Sequence, residues 1–313
     1  MQLDSTAVVL TRCSSYDQPE LDEALTQVLT EMELPALTQT NVLLKPNLIA
    51  AKNSLLSCTE GAFILAVARW FIERGARVSI GDSPAFGTGE MVLRAMGITD
   101  ELARLAVPIK SFSQGRKLRL PSGGTAVFAQ EVLDCDLLVN LPRVKAHAQT
   151  RITLAVKNYF GCLIGLRKPW WHMLYGGSQD KFFDRLGQIP LALPSPSLTL
   201  MDGIIAMHQT GPIWGQPYPL SLVAASTNPV AMDTALHCIL HIPAEISPVM
   251  AACCRAGLKG AELSQLTFPL LRPEEVQANG FIVPKQLSPV RFNLFRFLKS
   301  SAYRLLLQKQ RSG

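Results

Sequence analysis

The chain has 313 residues, 48% hydrophobic and 17% charged, which excludes a disordered or fibrous protein and supplies a core that needs no staples. Formal net charge is +6, but seven of the 30 bases (Lys285, Arg291, Arg296, Lys299, Arg304, Lys309 and Arg311) fall in residues 285–313, which hold no acid. The remaining 23 bases face 24 acids, so the body is near neutral and does not support a general nucleic-acid-binding surface.

In chain order, residues 7–10 read as a short apolar strand and 20–33 as a helix. Residues 41–44 (NVLL) read as a strand stopped by Lys45-Pro46. Residues 59–74 form a strong helix pattern ended by Gly75. A strand at 77–80 runs into Gly81-Asp82-Ser83-Pro84, followed by a short helix at 90–96 and a strand at 135–140. Residues 161–219 are rich in Gly, Pro and Trp and read as long loops, with a helix near 179–186 and a strand at 198–201. A strand at 220–225 and helices at 229–240 and 247–256 complete the body. Short strands alternating with helices imply parallel βαβ units, and continuous apolar runs suit a sheet covered on both faces. The expected architecture is α/β: a mostly parallel sheet with helices on both faces, a long loop region in the middle and a C-terminal amphipathic helix. One domain is expected over residues 1–284, with a sub-division near 150–195 as the alternative, then a basic tail over 285–313.

Mean hydropathy is +0.19, so membrane spans must be checked. The most apolar helical stretch, GAFILAVARWFI at 61–72, is too short to span and contains Arg69; it reads as a buried helix. The N-terminus MQLDSTAVVLTR shows no signal-peptide pattern, so the expected compartment is the cytoplasm. Seven cysteines, an odd count without C-x-x-C spacing, read as small buried hydrophobes rather than a disulfide framework.

Ligands of open α/β sheets bind beyond the carboxyl ends of the strands. Five predicted strand ends deliver polar groups there: Lys45-Pro46-Asn47; Gly81-Asp82-Ser83; Pro142 to His147; Asp202-Gly203; and Thr227-Asn228-Pro229, with Asp233 one turn into the next helix. In the stretch 145–161, Thr150 reads as an N-cap, Ile152, Ala155, Val156, Tyr159 and Phe160 fall on one helical face, and Gly161 is a stop. Lys157 near the end of that helix is explained equally by the helix dipole or by a place beside Lys145 and His147, with Asn158, in an anion site.

The blocks VLLKPNL, SIGDSP, LPRVKAHAQTRITLAVKNYFG, LTLMDGIIAMHQTGPIWGQP and STNPVAMD resemble the domain-of-unknown-function family 362 over about residues 8–242. The resemblance implies an α/β domain, often fused to or interrupted by a ferredoxin-like module with two [4Fe–4S] clusters. It implies a fold and a site, not a reaction. The run C-x-x-C-x-x-C-x-x-x-C-P is absent here, so no intrinsic iron–sulfur cluster is expected, and a redox role needs a separate electron-transfer protein.

The weaker signals leave alternatives open. GDSPAFGTG at 81–89 is either a phosphate-cradling loop or a plain turn. His237 and His241 stand four apart, as a metal pair or an ordinary helix end. Trp170, Trp171 and His172, after Arg167 and Lys168, fit a lid over a ligand, a satellite core or a homodimer contact. The tail, with Phe292, Phe295, Leu298, Ala302, Leu305 and Leu306 between its bases, suits docking on the body or a second subunit, or peripheral contact with an anionic membrane.

Two readings follow. In the first, the chain is an enzyme for an anionic small molecule. His147, Lys145 and Lys157 are catalytic, and Lys45, Asn47, Asp82, Ser83, Asn158, His172, Asp202 and Asp233 bind the ligand; a divalent cation on the carboxylates is left open. In the second, it is a non-catalytic adaptor for a separate iron–sulfur protein or a membrane surface. Strand-end polar clusters suit the first better, because they fit a deep site more than a flat one.

Overall fold

The computed structural model describes residues 6–164 and 179–288, so the residues at 167–172, His172 among them, and the tail from 289 lie outside the described part. The strands are β1 (Val9–Arg12), β2 (Asn41–Pro46), β3 (Arg77–Asp82), β4 (Ile109–Ser111), β5 (Gly115–Arg119), β6 (Thr125–Ala129), β7 (Leu137–Leu141), β8 (Arg143–His147), β9 (Arg151–Thr153), β10 (Ser197–His208) and β11 (Gln216–Ser226). Among the described residues, nine of them form one sheet along the path β1-β11-β10-β7-β2-β3-β4, with β8 joined to β10 and β9 to β8; β5 and β6 make a separate hairpin. The run β10-β7-β2-β3-β4 is parallel throughout, and the β11 and β1 side is antiparallel.

Period-two alternation decides which layer each strand residue joins. Val42 and Leu44 of β2, with Val139 of β7, enter a core with helices α1 (Gln18–Glu31) and α3 (Gly61–Glu73). Leu43 and Leu138 face the opposite way, into a core with Phe182, Phe183, Met250 and Cys253 from helices Gln179–Leu186 and Pro248–Arg255. Helix Pro229–Ile239 covers the β10–β11 end of that second face. Residues 61–72 thus sit in a buried amphipathic helix; among the described residues no helix is long and apolar enough to cross a membrane.

Several boundaries differ from the sequence pattern. The strand at 41–44 continues through Lys45 and Pro46, because β2 keeps pairing with β7 (Lys45 with Asn140, Pro46 with Leu141) after it has left β3. Proline is tolerated at that last position, where the ladder ends. Residues 202–219 are largely not loop: β10 and β11 are a long antiparallel hairpin, with Gly203 at a register shift and Asp202 in mid-strand. Residues 143–147 form a buried strand, not a turn. The chain passes from β7 to β8 with Pro142 alone between them, and Asp202 N donates to Pro142 O at 2.9 Å, so β10 changes partner from β7 to β8 at this crease. The single helix expected at 150–161 is instead strand β9, the four-residue helix Ala155–Asn158 and a 3₁₀ turn at Tyr159–Cys162.

Candidate functional site

β8 carries the pattern Arg143, Val144, Lys145, Ala146, His147, all buried. Alternation places the three basic side chains on one face and Val144 in the opposite core. Arg143 is fully enclosed. Its Nε donates to Ile205 O, its Nη1 to Leu55 O and Cys58 O, each at 2.8 Å, and its Nη2 reaches the Tyr16 hydroxyl at 3.3 Å. The Asp202 carboxylate lies 3.8 Å from Arg143 Nε and accepts from Tyr16 Oη at 2.7 Å and Glu60 N at 2.9 Å. Glu60 adds a second carboxylate 3.5 Å from Arg143. Burial pushes the Glu60 carboxyl above its ordinary range, against the opposing pull of Arg143. This guanidinium is therefore compensated by two acids and by the carbonyls of the 55–58 turn.

Two residues along, Lys145 Nζ donates to Asn47 Oδ1 at 2.6 Å and to Ser57 O at 2.5 Å. Burial lowers its pKa to about 7; the Cys58 sulfur and Asp82 act against that shift, and Lys157 and Arg143 add to it. His147 Nδ1 accepts from Gln149 N at 3.0 Å, so Nδ1 serves as an acceptor and a neutral ring carries its proton on Nε2.

At the neighbouring strand ends, Lys45 Nζ of β2 pairs with Asp82 Oδ1 of β3 at 2.8 Å, with both side chains almost completely buried. Lys45 also donates to Pro46 O at 2.8 Å and to Asn158 Oδ1 at 3.3 Å, and Asp82 Oδ2 accepts from Leu48 N at 2.9 Å. Asn158 joins the ends of β2 and β7: its Oδ1 also accepts from Asn47 Nδ2 at 2.9 Å, and its Nδ2 donates to Asn140 Oδ1 at 2.8 Å. The backbone of Gly161 lies against this pair, where a Cβ would collide with Asp82 Oδ1 and Lys45 Nζ. The next residue of that loop, Ser83, is tied in through its amide, which donates to Gly161 O at 3.3 Å.

Lys157 keeps part of its surface, although its ammonium lies deep enough for burial, reinforced by Lys45, to bring its pKa down to about 8. It approaches the Phe160 ring at 5.7 Å. Among the described residues, neither Lys145 nor Lys157 has a carboxylate within ion-pair distance. Asp233 stands outside this cluster. It reaches from helix Pro229–Ile239 to cap helix Ala155–Asn158, accepting from Ala155 N at 2.7 Å and Val156 N at 3.2 Å. Burial raises its pKa to about 8, against those two amides, which favour the anion.

Residues 42–237 match the domain of unknown function DUF362. The chain belongs to this family. The DUF362 chain is also 37% identical over 262 residues to the thylakoid-associated protein sll1697 of Synechocystis sp., covering 83% of the chain and 81% of that protein. Two solved structures are more distant. One is a crystal structure of a Thermotoga maritima protein (13% identity, TM-score 0.46, 82% of this chain and 61% of that one). The other is the lactate racemase apoprotein of Thermoanaerobacterium thermosaccharolyticum (12% identity, TM-score 0.47, 71% of this chain and 54% of that one). The DUF362 chain thus spans just over half to three-fifths of those two structures.

In this DUF362 chain, Lys45, Asn47, Asp82, Lys145 and Asn158 form one connected network, with Lys157 beside it and Ser83 at its edge. Asp202 is separate, held in the Arg143–Tyr16 cluster on the face that Leu200 shares with α1 and α3, whereas Lys45 and Asn140 are in phase with Leu43 and Leu138 on the opposite face. Thr150 is not an N-cap: its hydroxyl donates to Ile152 O inside the β8–β9 turn, and the capping role belongs to Asp233. Tyr16, Asn140 and Gly161 are not legible as parts of this cluster, and Arg143 is legible only as a member of the polar run from Pro142 to His147. The polar–apolar alternation of residues 143–147 was the available strand signal; nothing local marks Tyr16, which reaches Asp202 from 186 residues away.

Two outcomes test this geometry. Gly161→Ala forces a methyl into the Lys45–Asp82 pair and is expected to cost about 1–3 kcal/mol in urea unfolding, with an unchanged slope. Asp233 has a folded pKa raised above its unfolded value, so its contribution to stability is full below about pH 4 and is lost as pH rises through about 8. Asp233→Asn is therefore expected to remove that loss, and the stability difference (variant minus wild type) in denaturant titrations should grow steadily between those pH values.

Proposed function

We propose that this protein is an enzyme that binds a small anionic molecule at the carboxyl edge of its parallel strands. One observation carries the reading: Lys145 and Lys157 have no carboxylate partner among the described residues, beside a Lys45–Asp82 pair already neutral in sum. Concentrating uncompensated positive charge away from water is costly, and an incoming carboxylate or phosphate relieves that cost. On this reading Lys157 grips the anion, Asn47 and Asn158 orient it, and His147 serves as general acid or base through Nε2. Arg143 and Asp202 position β8, and Asp233 positions the helix bearing Lys157. Any redox step draws on a separate electron carrier.

The test is a thermal-shift and calorimetric panel of inorganic phosphate, acetate and pyruvate. At about 100 times its Kd, a bound anion is expected to raise Tm by several degrees. Lys157→Ala should weaken binding at least about tenfold, the loss of a charge-assisted contact, and Lys117→Ala on the exposed β5 hairpin should leave it unchanged. A panel in which no anion shifts Tm, or in which both variants bind like wild type, overturns the reading.

A second reading, peripheral membrane contact through the basic tail with the body in the cytoplasm, is favoured by the thylakoid-associated description of the Synechocystis relative. Full-length protein should then co-sediment with phosphatidylglycerol-containing vesicles and lose that association in high salt. Absence of co-sedimentation at low salt removes it.

A further inference from the structure

The carboxyl edge of the sheet carries an apolar surface that the anion site does not use. Exposed apolar side chains are ordinary when scattered singly, whereas grouped ones mark an interaction surface. Of the nine large apolar side chains exposed among the described residues, Leu55, Phe86, Trp214 and Ile282 fall in segments that touch one another at this edge, each between 48% and 64% exposed. Leu55 belongs to the short helix Ser54–Ser57 that follows β2, Phe86 to the loop after β3, and Trp214 to the turn between β10 and β11. The segment after β2 ties them together. Phe86 N donates to Ile49 O at 3.2 Å, Asn53 Nδ2 donates to Ile213 O at 2.6 Å, and Lys52 Nζ stands 5.1 Å from the centre of the Trp214 ring. Gln209 N donates to Ile282 O at 2.7 Å, which brings the fourth segment alongside the hairpin turn.

Charge selects the partner. Residues 47–59, 83–89, 209–216 and 281–288 build this surface; they contain Lys52 and Lys285, both exposed, and no acid. Glu90, next after the second segment, lies 3.2 Å from Arg94. Ala148 N donates to Gly211 O and Ser288 N donates to Ala148 O, so the described chain ends beside the Trp214 turn, and the next six charged residues in sequence are all basic. We propose, resting on the membrane reading above, that this edge of the body itself docks on an anionic lipid surface. Trp214, Phe86, Leu55 and Ile282 enter the interface, and Lys52 and Lys285 meet phosphate headgroups. The indole suits that boundary, having a large apolar body and one N–H donor. Asn47 and Ser83 stand at the roots of two of these loops, so docking turns the candidate site toward the lipid.

The experiment is co-sedimentation of the full-length protein at low salt with vesicles of phosphatidylglycerol and phosphatidylcholine, titrated to give a partition constant. Wild type is expected to bind. The triple variant Leu55→Ser, Phe86→Ser, Trp214→Ser keeps the tail and should bind at least about tenfold more weakly, through loss of three apolar side chains from the interface. Lys52→Glu alone should weaken binding about fivefold, because repulsion replaces attraction. Leu191→Ser, in the connection that leads into the opposite end of β10, should bind like wild type. Wild-type binding by the triple variant or by Lys52→Glu overturns the surface and leaves contact through the tail standing. Equal weakening by Leu191→Ser overturns the surface as well. No binding by wild type overturns both. Should the triple variant not fold, Lys52→Glu in its exposed loop decides.

Discussion

An ammonium removed from water has to be met by oxygen, and that demand at Lys45 organises the whole strand-end cluster. Its nitrogen is enclosed between β2 and β3, and Asp82 answers it directly. Losing one member of such a buried pair typically costs 3–5 kcal/mol, so the pair constrains whatever surrounds it. Asn158 comes in because a lysine offers three donors, and Leu48 N because a carboxylate offers more than one acceptor. Gly161 follows from space: with the pair fixed, only a residue without a side chain passes above it.

The cluster divides into a balanced half and an unbalanced half. Arg143 sits among Asp202, Glu60, Tyr16 and three carbonyls, and its charge is accounted for inside the protein. Lys145 satisfies its donors with neutral oxygens only. Lys157 has only the Phe160 ring among the described residues. Charge balanced by acids and charge without an acid partner among the described residues thus lie within one strand and one short helix. Burial pushes Lys145, Lys157 and Asp233 all toward their uncharged forms, lowering the two lysine pKa values and raising that of the acid.

Much of the parallel half was legible because its strands are continuous apolar runs and its helices carry recognisable stops. Asn41–Pro46, Arg77–Asp82 and Gly61–Glu73 lie close to the positions their patterns indicate. The meeting of Lys45 and Asp82 follows from placing residues at parallel strand ends, whereas Lys145 joins them from inside β8. The misread parts share one cause: local pattern competed with long-range pairing. Ile152 to Phe160 has helical spacing, yet β8 recruits residues 151–153 into a hairpin and Arg151 turns at a φ of +62°. Asp202 reads as terminal because the apolar run stops at Met201, whereas Gly203 marks a register shift inside a longer strand. Partners such as Asp233 for Ala155, 78 positions apart, leave no trace in a window of sequence.

The order of the cations along β8 has a meaning of its own. At 143 the surroundings offer a fan of acceptors spread over Leu55, Cys58, Ile205 and Tyr16, which a planar fork can span and a single ammonium cannot. At 145 one nitrogen meets two acceptors, Asn47 Oδ1 at 2.6 Å and Ser57 O at 2.5 Å, which suits the compact head group of a lysine better than a guanidinium. The two basic side chains therefore cannot trade places, and an exchange of Arg143 with Lys145 would leave acceptors unmet at one position and a crowded head group at the other.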